Sequence, residues 1–545
     1  MLAVALVLAV PAPAAGHALL RTTEPAAEAI LEQPPRQVVL RFSEAVEAAF
    51  GAVRVFDTEG RRIDDGRARH EPGDPRTVTV GLRPGLPDGT YTVSWRVVSA
   101  DGHPVSEAFL FHVGAPGADA SVALADVLAR EQGGDAVATT WLGVSRWLLF
   151  TGLLLLIGGW AFGPLTWRPA NGELPRVVAA ARRGLLRAGW WLAVAATLMG
   201  AVGQVAVAAG LPLQRALTPA LLAELARTRY GMVAGARLVL LAMLIPLVRN
   251  GRGWRAPGLV AAVLVLLAAG PGLSGHAGAT APPALHLVAD ALHVAAAGVW
   301  LGGLVLIRRV LRPDVDSASQ RAAAARFSTV ALRAVAVLVL TGLVRSWAEV
   351  GAPRALWSTP FGLVLLAKLA VFLPILALAA WNRVRVLPRL AAEAGDAGDA
   401  AALRRSVTSE AALGAVVLAL TALLVNLPPA KVAAGLAGPA LTEAALGDGR
   451  LDVVVDPNVV GENVVHLTMT DGGGRPLDVD VVRVWFRMPE QDIGPLEAEA
   501  LRLGAGHFAV QGRQLSVPGL WTIEVAVPVD RFTDLRATVS VRVNG

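Results

Sequence analysis

Cysteine is absent from this chain of 545 residues. Disulfide bonds, zinc–thiolate sites, iron–sulfur clusters and thiolate copper(I) sites are therefore excluded, because each of them needs cysteine sulfur. Lysine is almost absent as well: Lys368 and Lys431 are the only two, so nearly all of the positive charge is arginine. Methionine is scarce, with six residues, which argues against a methionine-rich copper(I) surface.

Motifs of enzyme chemistry are also missing from the sequence. It has no glycine-rich phosphate-binding loop, no DKTG-type phosphorylation motif, and no Ser/His/Asp or paired-carboxylate arrangement suited to hydrolysis. We therefore expect that the chain is not an enzyme, and an ATP-driven pump is disfavoured.

Charge is low overall, and the hydrophobic content is high. Charged residues make up 17% of the chain and hydrophobic residues 54%, which is too apolar for a soluble protein of this size. The composition indicates a multi-pass protein of the lipid bilayer. In such a protein an excess of arginine marks the cytoplasmic loops, so we expect no nucleic-acid partner.

The first 15 residues form an apolar stretch that is too short to span a bilayer. The small residues Ala14, Ala15 and Gly16 follow, as at a signal-peptidase site. We predict a signal peptide over residues 1–16, and an uncleaved anchor is the alternative. Cleavage after Gly16 would expose His17, whose free amine and ring Nδ1 can chelate one metal ion.

Residues 17–114 alternate between apolar and polar positions in short segments separated by turns, which predicts a small all-β domain, a Greek-key sandwich or barrel. Near its end, Asp101 and His103 flank a glycine. Together with His17 they would supply imidazole, amine and carboxylate ligands, a set that suits tetragonal Cu(II). An ordinary Asp-Gly turn with a surface histidine is the alternative. The predicted strands are Gln37–Phe42, Gly51–Phe56, Thr77–Leu82, Thr90–Val97 and Ala108–Val113.

Residues 115–139 are rich in Gly, Ala and Asp and are predicted to be a linker. The segment 140–428 then contains eight apolar stretches, each about long enough to cross a bilayer. Arginine clusters follow the odd-numbered stretches, whereas residues 276–290, after the fourth, contain none. This alternation predicts a plasma-membrane (inner-membrane) protein with both termini on the periplasmic or extracellular side. The predicted spans are 141–163, 186–210, 231–249, 257–275, 286–308, 327–347, 361–381 and 409–427.

A group of ionisable residues lies at and inside the predicted fifth span. His286, His293 and Trp300 are seven residues apart, so a helix places them on one face, with Asp290 one turn from both histidines. With His276 they could form a metal pathway near the outer membrane face. The alternative is that these imidazoles only bind a neighbouring helix.

Other polar residues of the membrane segment are predicted to lie differently. Lys368 and Glu410 are expected inside the bundle, and Lys368 should pair with an acid or with carbonyl groups. Arg237 and Arg345 lie near the outer ends of their spans, where their side chains could reach the interface.

A second β domain is predicted over residues 450–545, after an Ala/Gly-rich linker at 429–449. Of its possible soft metal ligands, we expect Met469 and Met488 to fill the core and His466 and His507 to be exposed. The predicted strands are Leu451–Val455, Asn463–Met469, Asp480–Arg487, Phe508–Leu515 and Thr522–Val527, with a last one near Ala537–Val543.

The segments HALLRTTEPAAEAIL and YTVSWRVVSADGHPVSEAFLFHVG resemble the copper-binding CopC family over essentially all of residues 17–114. The resemblance implies a β domain of cupredoxin-like or immunoglobulin-like topology. It also implies a Cu(II) site formed by His17, Asp101 and His103. The methionine-rich second site of some relatives should be missing, because no methionine lies between Met1 and Met199.

The membrane segment resembles CopD, the inner-membrane partner of CopC. The resemblance lies in SGHA at 274–277, the histidine-bearing run 285–304, RFS at 326–328, FGLVLLAKL at 361–369, and Glu410 with LLVNLPP at 423–429. The C-terminal segment is similar to YtkA-like or FixH-like β-sandwiches.

The whole chain thus looks like a CopC–CopD fusion. That resemblance implies copper import, copper homeostasis and resistance, with other outer copper proteins as possible partners. The alternatives are a haem-binding membrane redox protein that reduces Cu(II), because paired intramembrane histidines also suit haem, and an outer copper buffer or sensor on a membrane anchor.

Overall fold

The structure is a computed structural model with two compact units, one made of the helices and one made of the strands at both ends of the chain. It describes all residues except 1–17, 19, 26–28, 43, 100–103, 115–135, 168–172, 251–256, 276–281, 393–396, 428, 434–439, 457, 459, 462, 474–475, 478, 480, 505, 529–532 and 544–545. The predicted signal peptide therefore lies outside the described residues.

The N-terminal domain is a sandwich of two four-stranded sheets, ordered β1-β3-β6-β5 and β2-β8-β7-β4. Its strands are antiparallel except for β2, which pairs with β8 in parallel. Residues of both sheets share one core, where the ring centroids of Phe42 and Trp95 lie 5.1 Å apart, edge to face. The strands are β1 (Leu20–Glu24), β2 (Ile30–Leu31), β3 (Gln37–Phe42), β4 (Val53–Phe56), β5 (Arg69–Glu71), β6 (Asp74–Gly81), β7 (Gly89–Val98) and β8 (Pro104–Val113).

All five strands predicted for this domain are present, and β3 has the predicted bounds. Strands β1, β2 and β5 were not predicted. Each of them lies at the edge of its sheet, where it pairs with only one neighbouring strand. In β5 all three residues are exposed, so no alternation of apolar residues marks it.

The helical unit contains long helices joined by short ones. The helices are α1 (Ala136–Leu165), α2 (Arg176–Ala209), α3 (Pro219–Leu225), α4 (Arg229–Met243), α5 (Ile245–Asn250), α6 (Pro257–Leu273), α7 (Pro283–Ala297), α8 (Gly303–Val310), α9 (Ser317–Val350), α10 (Ala355–Ser358), α11 (Pro360–Trp381), α12 (Leu387–Ala391), α13 (Ala397–Leu424) and α14 (Ala430–Ala433). Two π-helical turns, Gly298–Gly302 and Asn382–Val386, join α7 to α8 and α11 to α12.

Among the described residues, six helices are long and apolar enough to cross a membrane, where the sequence predicted eight. This number counts α7 with α8, and α11 with α12, as one helix each, continued through the π-helical turn. The predicted third span is divided into α4 and α5 at Leu244. Pro246 explains the division, because proline lacks the N–H group of a helical hydrogen bond and its ring clashes with the preceding turn. The predicted fourth span is helix α6, which is apolar but shorter than the other six.

Glycines bring α1 and the Gly298–Gly302 turn into backbone contact. A Cβ atom added at Gly158 would lie 2.5 Å from Gly302 Cα and 2.6 Å from Gly298 O. Such an approach is possible only without side chains, as in other membrane helix pairs with small residues at the interface. The turn is thereby fixed against α1 just beyond the helix that carries the membrane histidines.

The C-terminal domain is a second β-sandwich, with sheets ordered β14-β15-β11-β10-β9 and β13-β12-β16-β17. Residues of both sheets form its core, which includes the fully buried Trp521 and Phe486. The strands are β9 (Ala440–Leu446), β10 (Gly449–Asp456), β11 (Asn463–Thr470), β12 (Arg483–Met488), β13 (Ile493–Glu499), β14 (Leu501–Gly504), β15 (His507–Gly512), β16 (Gly519–Pro528) and β17 (Asp534–Val543).

Two expectations for this region were wrong. Residues 429–449 are not only a linker, because they contain helix α14 and strand β9, and β9 pairs with β10 along its whole length. Met469 and Met488 do fill the core, at 0% and 1% exposure, but His466 and His507 are half-buried and stack on each other.

Candidate functional site

The predicted outer copper ligands, His17, Asp101 and His103, lie outside the described residues. The strands on either side of the Asp101–His103 segment are described. β7 ends at Val98 and β8 begins at Pro104, and these two residues pair across the hairpin. The Cu(II) site therefore stays a prediction about the tip of this hairpin and the start of the domain.

Two further histidines of the same domain have ordinary hydrogen-bond partners. The His112 Nδ1 atom lies 2.9 Å from the Thr90 hydroxyl, and both residues are buried. The His70 Nδ1 atom lies 3.2 Å from the carbonyl oxygen of Thr77, on the exposed strand β5. Neither contact calls for a metal, so His70 is a suitable control for substitutions of the proposed metal-binding histidines.

The membrane histidines lie on helix α7, except His276, which is outside the described residues. His286 is buried, with 5% of its surface exposed. The His293 Nδ1 atom lies 2.8 Å from the hydroxyl of Thr341 on α9, which fixes the orientation of the ring. Trp300, one further heptad along, is also buried and packs edge to face on Phe372.

A network of charged side chains surrounds this histidine face. Asp290 interacts electrostatically with Arg345 of α9 and Lys368 of α11. Arg345 forms an ion pair with Glu349 one turn further along α9. Lys368 interacts with both carboxylates, and Lys431 of α14 interacts with Glu349. Helices α7, α9, α11 and α14 are therefore linked by charge as well as by packing.

The sequence singled out only part of this network. Lys368 has acidic partners, as expected. Arg345 was expected only to reach the interface, but it is bound to Glu349. Glu349 and Lys431 were overlooked, although the i, i+4 spacing of Arg345 and Glu349 was a visible signal. Lys431 gave no such signal, because it lies beyond the last predicted span.

Glu410 belongs to a second polar contact inside the bundle. Its carboxylate accepts a hydrogen bond of 2.6 Å from the side-chain amide of Asn382, and both residues are buried. Asn382 begins the second π-helical turn, so this contact ties that turn to α13.

Two arginines make further polar contacts within the helical unit. Arg146 donates a hydrogen bond of 2.5 Å to Asn426 Oδ1 and a second to the carbonyl oxygen of Val425. It thereby joins α1 to the end of the last long helix. Arg237 was expected to extend to the interface, but only 4% of its surface is exposed, and it interacts with Tyr230 within its own helix.

Comparison with known proteins identifies three segments. Residues 20–114 match the family model of the CopC domain. Residues 137–284 match the N-terminal domain of copper resistance protein D-like proteins, and residues 321–424 match copper resistance protein D. The first spans, which the sequence alone showed mainly as hydrophobic helices, are thus covered too.

Several relatives agree with this division. The chain is 28% identical to the copper transport protein CutJ of Bacillus subtilis (strain 168) over 94% of both chains. It is 32% identical to copper resistance protein C of Escherichia coli, over 20% of this chain and 90% of that protein. It is 36% identical to protein YobA of Escherichia coli (strain K12), over 18% of this chain and 78% of that protein.

These matches, together with the six membrane-length helices, favour the copper hypothesis over the haem-binding and anchored-buffer alternatives. The names of the relatives describe copper transport and resistance rather than enzymes. The chain is a multi-pass membrane protein and belongs to the copper-resistance family in which a CopC domain and a CopD membrane domain are joined in one polypeptide.

Proposed function

We propose that this chain captures Cu(II) on the outer side of the plasma membrane and imports copper for homeostasis and resistance. The observation that carries the proposal is the relationship, over 94% of both chains, to a protein named for copper transport. The charged network around His293 adds support, because ionisable groups are expensive inside a membrane and usually mark a pathway.

Capture takes place at His17, Asp101 and His103. Cleavage after Gly16 gives His17 a free amine, so amine and imidazole nitrogens with one carboxylate bind Cu(II) in tetragonal geometry. The signal peptide delivers this domain, and the C-terminal domain as well, to the periplasmic or extracellular side. Eight crossings, with α4 to α5 and α6 as the two short ones, keep both ends on that side and agree with the arginine pattern.

Copper then passes along His276, His286, Asp290 and His293. The network sets an electrostatic condition for this passage, because Asp290 already interacts with Arg345 and Lys368. A copper ion that reaches the histidines must compete with these two cations for Asp290. Binding of copper at Asp290 would therefore weaken the attraction of Asp290 to Arg345 and Lys368 in this proposal.

Copper uptake by whole cells tests the proposal. Cells that express the wild type, the His286→Ala/His293→Ala variant or the His70→Ala control are given copper, and accumulated copper is measured by mass spectrometry at equal protein levels. We expect the wild type and the control to accumulate copper equally, and the double variant to lose most of the uptake. Equal uptake by all three would rule out transport through the histidine face.

A second measurement concerns capture. N-terminal sequencing of the mature protein should find His17 first, and Cu(II) titration should then show one tight site that His103→Ala removes. A mature chain that begins elsewhere, with unchanged Cu(II) affinity, would contradict the proposed ligand set.

A further inference from the structure

Two histidines of the C-terminal domain meet on the outer face of its five-stranded sheet, which is the face that points away from the core of the sandwich. Strands β11 and β15 pair so that His466 lies opposite Ala509 and Thr468 opposite His507. His466 and His507 are therefore diagonal neighbours on one face. The residues between them in each strand, Leu467 and Phe508, are fully buried in the core on the other face.

The two rings are in contact through one nitrogen of each, and their planes are close to parallel. The His466 Nδ1 atom lies 3.3 Å from His507 Nε2, and the ring centroids are 5.4 Å apart with an angle of 29° between the planes. Both residues are half-buried. Strand pairing alone does not require this contact, because diagonal residues on a sheet have many other rotamers available.

The imidazoles are uncharged at neutral pH. Burial, and then the neighbouring His507 and Arg21, lower the pKa of His466 to about 4, and burial also lowers the pKa of His507. A neutral imidazole is the form that binds metals, because its second ring nitrogen keeps a free lone pair. One N–H···N hydrogen bond between the rings is the purely structural interpretation of the same contact.

The separation of the two nitrogens also fits a shared metal ion. With metal–nitrogen bonds of about 2.0 Å, the observed separation corresponds to a nitrogen–metal–nitrogen angle of about 110°, close to the tetrahedral value. The ion would lie about 1 Å to one side of the line between the nitrogens, so small ring rotations suffice. This arrangement requires His466 to carry its proton on Nε2 and His507 on Nδ1.

The surroundings favour a singly charged ion. In the described part of the chain, no group of three or more histidine, cysteine, aspartate or glutamate side chains is placed to hold a metal. Cu(I) binds imidazole, and the angle of about 110° fits a three- or four-coordinate Cu(I) ion in which one or two exogenous ligands complete the two histidines. Arg21 is close enough to act on His466, and its charge opposes a divalent ion twice as strongly as a monovalent one.

We propose that His466 Nδ1 and His507 Nε2 form a Cu(I) site on the outer face of the C-terminal sheet. The choice of copper rests on the proposed function, whereas the existence of a two-histidine site rests on the geometry alone. The site leaves at least one position of the ion open, which suits transfer of copper to or from another ligand.

Cu(I) binding by the full-length protein in detergent tests the site. Cu(I) is titrated without oxygen against a chromophoric chelator, for the wild type, the His466→Gln/His507→Gln variant and the His70→Gln control. Glutamine keeps the size and hydrogen-bonding capacity of the position. We expect the double variant to bind one equivalent of Cu(I) fewer than the wild type and the control. Equal stoichiometry in all three would overturn the inference.

A second measurement uses the wild-type protein, so that a folding defect of the variant cannot affect the result. Diethyl pyrocarbonate modifies accessible imidazoles, and mass spectrometry reports the extent at each histidine. Cu(I) should slow modification of His466 and His507 at least fivefold and leave His70 unchanged. Absence of protection would overturn the site, and protection by Zn(II) but not by Cu(I) would overturn the assignment of the metal.

These outcomes are separable from those of the proposed function. Normal copper uptake by cells, combined with no Cu(I) at the pair, would contradict only the Cu(I) site at His466 and His507. Cu(I) at the pair, combined with no dependence of uptake on His286 and His293, would sink only the proposed pathway.

Discussion

Replacement of Gly158 by alanine should destabilise the helical unit, and the neighbouring backbone shows why. The new Cβ atom would lie 2.5 Å from Gly302 Cα and 2.6 Å from Gly298 O. Ordinary carbon contacts lie at about 3.5–4.0 Å. Since the atoms in the way belong to the backbone, no side chain can rotate to make room. Helix α1 and the π-helical turn must therefore move apart by about 1 Å.

The expected magnitude follows from two opposing effects. Overpacking of this kind costs about 1–3 kcal/mol. Alanine also favours a helix over glycine by about 1 kcal/mol, which offsets part of that cost. Gly235 in α4 supplies the matched control, because nothing lies within 4 Å of a Cβ atom placed there. The difference between Gly158→Ala and Gly235→Ala removes the helix-propensity contribution and leaves the steric cost, about 1–3 kcal/mol.

Thermal unfolding of the purified protein in one detergent measures the difference. We expect a midpoint several degrees lower for Gly158→Ala than for Gly235→Ala, since about 1 kcal/mol corresponds to about 2–4 °C in a unit of this size. Copper uptake should also fall for Gly158→Ala, because the displaced turn directly follows the helix that carries His293. Equal midpoints for the two variants would refute the close helix contact.

Three further changes test other contacts. Lys368→Met should lower the yield of folded protein by removing a positive charge that interacts with Asp290 and Glu349, whereas Lys368→Arg should keep the wild-type yield. The double change Lys368→Met/Glu349→Gln should recover part of the lost yield. A yield from Lys368→Met equal to that of the wild type would contradict the ion network. Thr341→Val removes the 2.8 Å contact to His293, costs about 1 kcal/mol and should reduce copper uptake, because second-shell bonds orient metal-binding imidazoles; unchanged uptake would separate this hydrogen bond from transport. Asp64→Asn should destabilise the N-terminal domain by about 1–2 kcal/mol at pH 7. Burial raises the pKa of Asp64, but the carboxylate accepts hydrogen bonds from Arg62 and from the amides of Val55 and Gly66. These hydrogen bonds outweigh burial and hold the pKa of Asp64 below its ordinary value. The wild-type domain therefore loses this stability as the pH falls from about 5 to 3, through the ordinary carboxyl range and below it, whereas the variant does not. Unfolding of residues 17–114 measures the stability of both forms, and a difference between them that is the same at pH 7 and at pH 3 would contradict this account.

The order of two β domains around a membrane bundle was predictable because it depends on local patterns. Alternation of apolar residues along a strand, and apolar runs long enough to cross a bilayer, are properties of neighbouring residues. Strands such as β3 and β11 carry this alternation because one face is buried. Strand β9 does not, since it lies at a sheet edge and its sequence is rich in small residues, and it was taken for a linker.

The partners of the polar residues depended on the rotation of helices and the register of strands. The spacing of His286 and His293 predicted a shared helix face, but it could not predict that Thr341 and Lys368, from other helices, would face it. His466 and His507 are 41 positions apart, and the pairing of β11 with β15 brings them to diagonal positions on one face of the sheet. The chemistry available to the chain is thus written in its residue types and their local spacing. The assembly of side chains into sites requires the long-range packing of helices and strands, which no local pattern specifies.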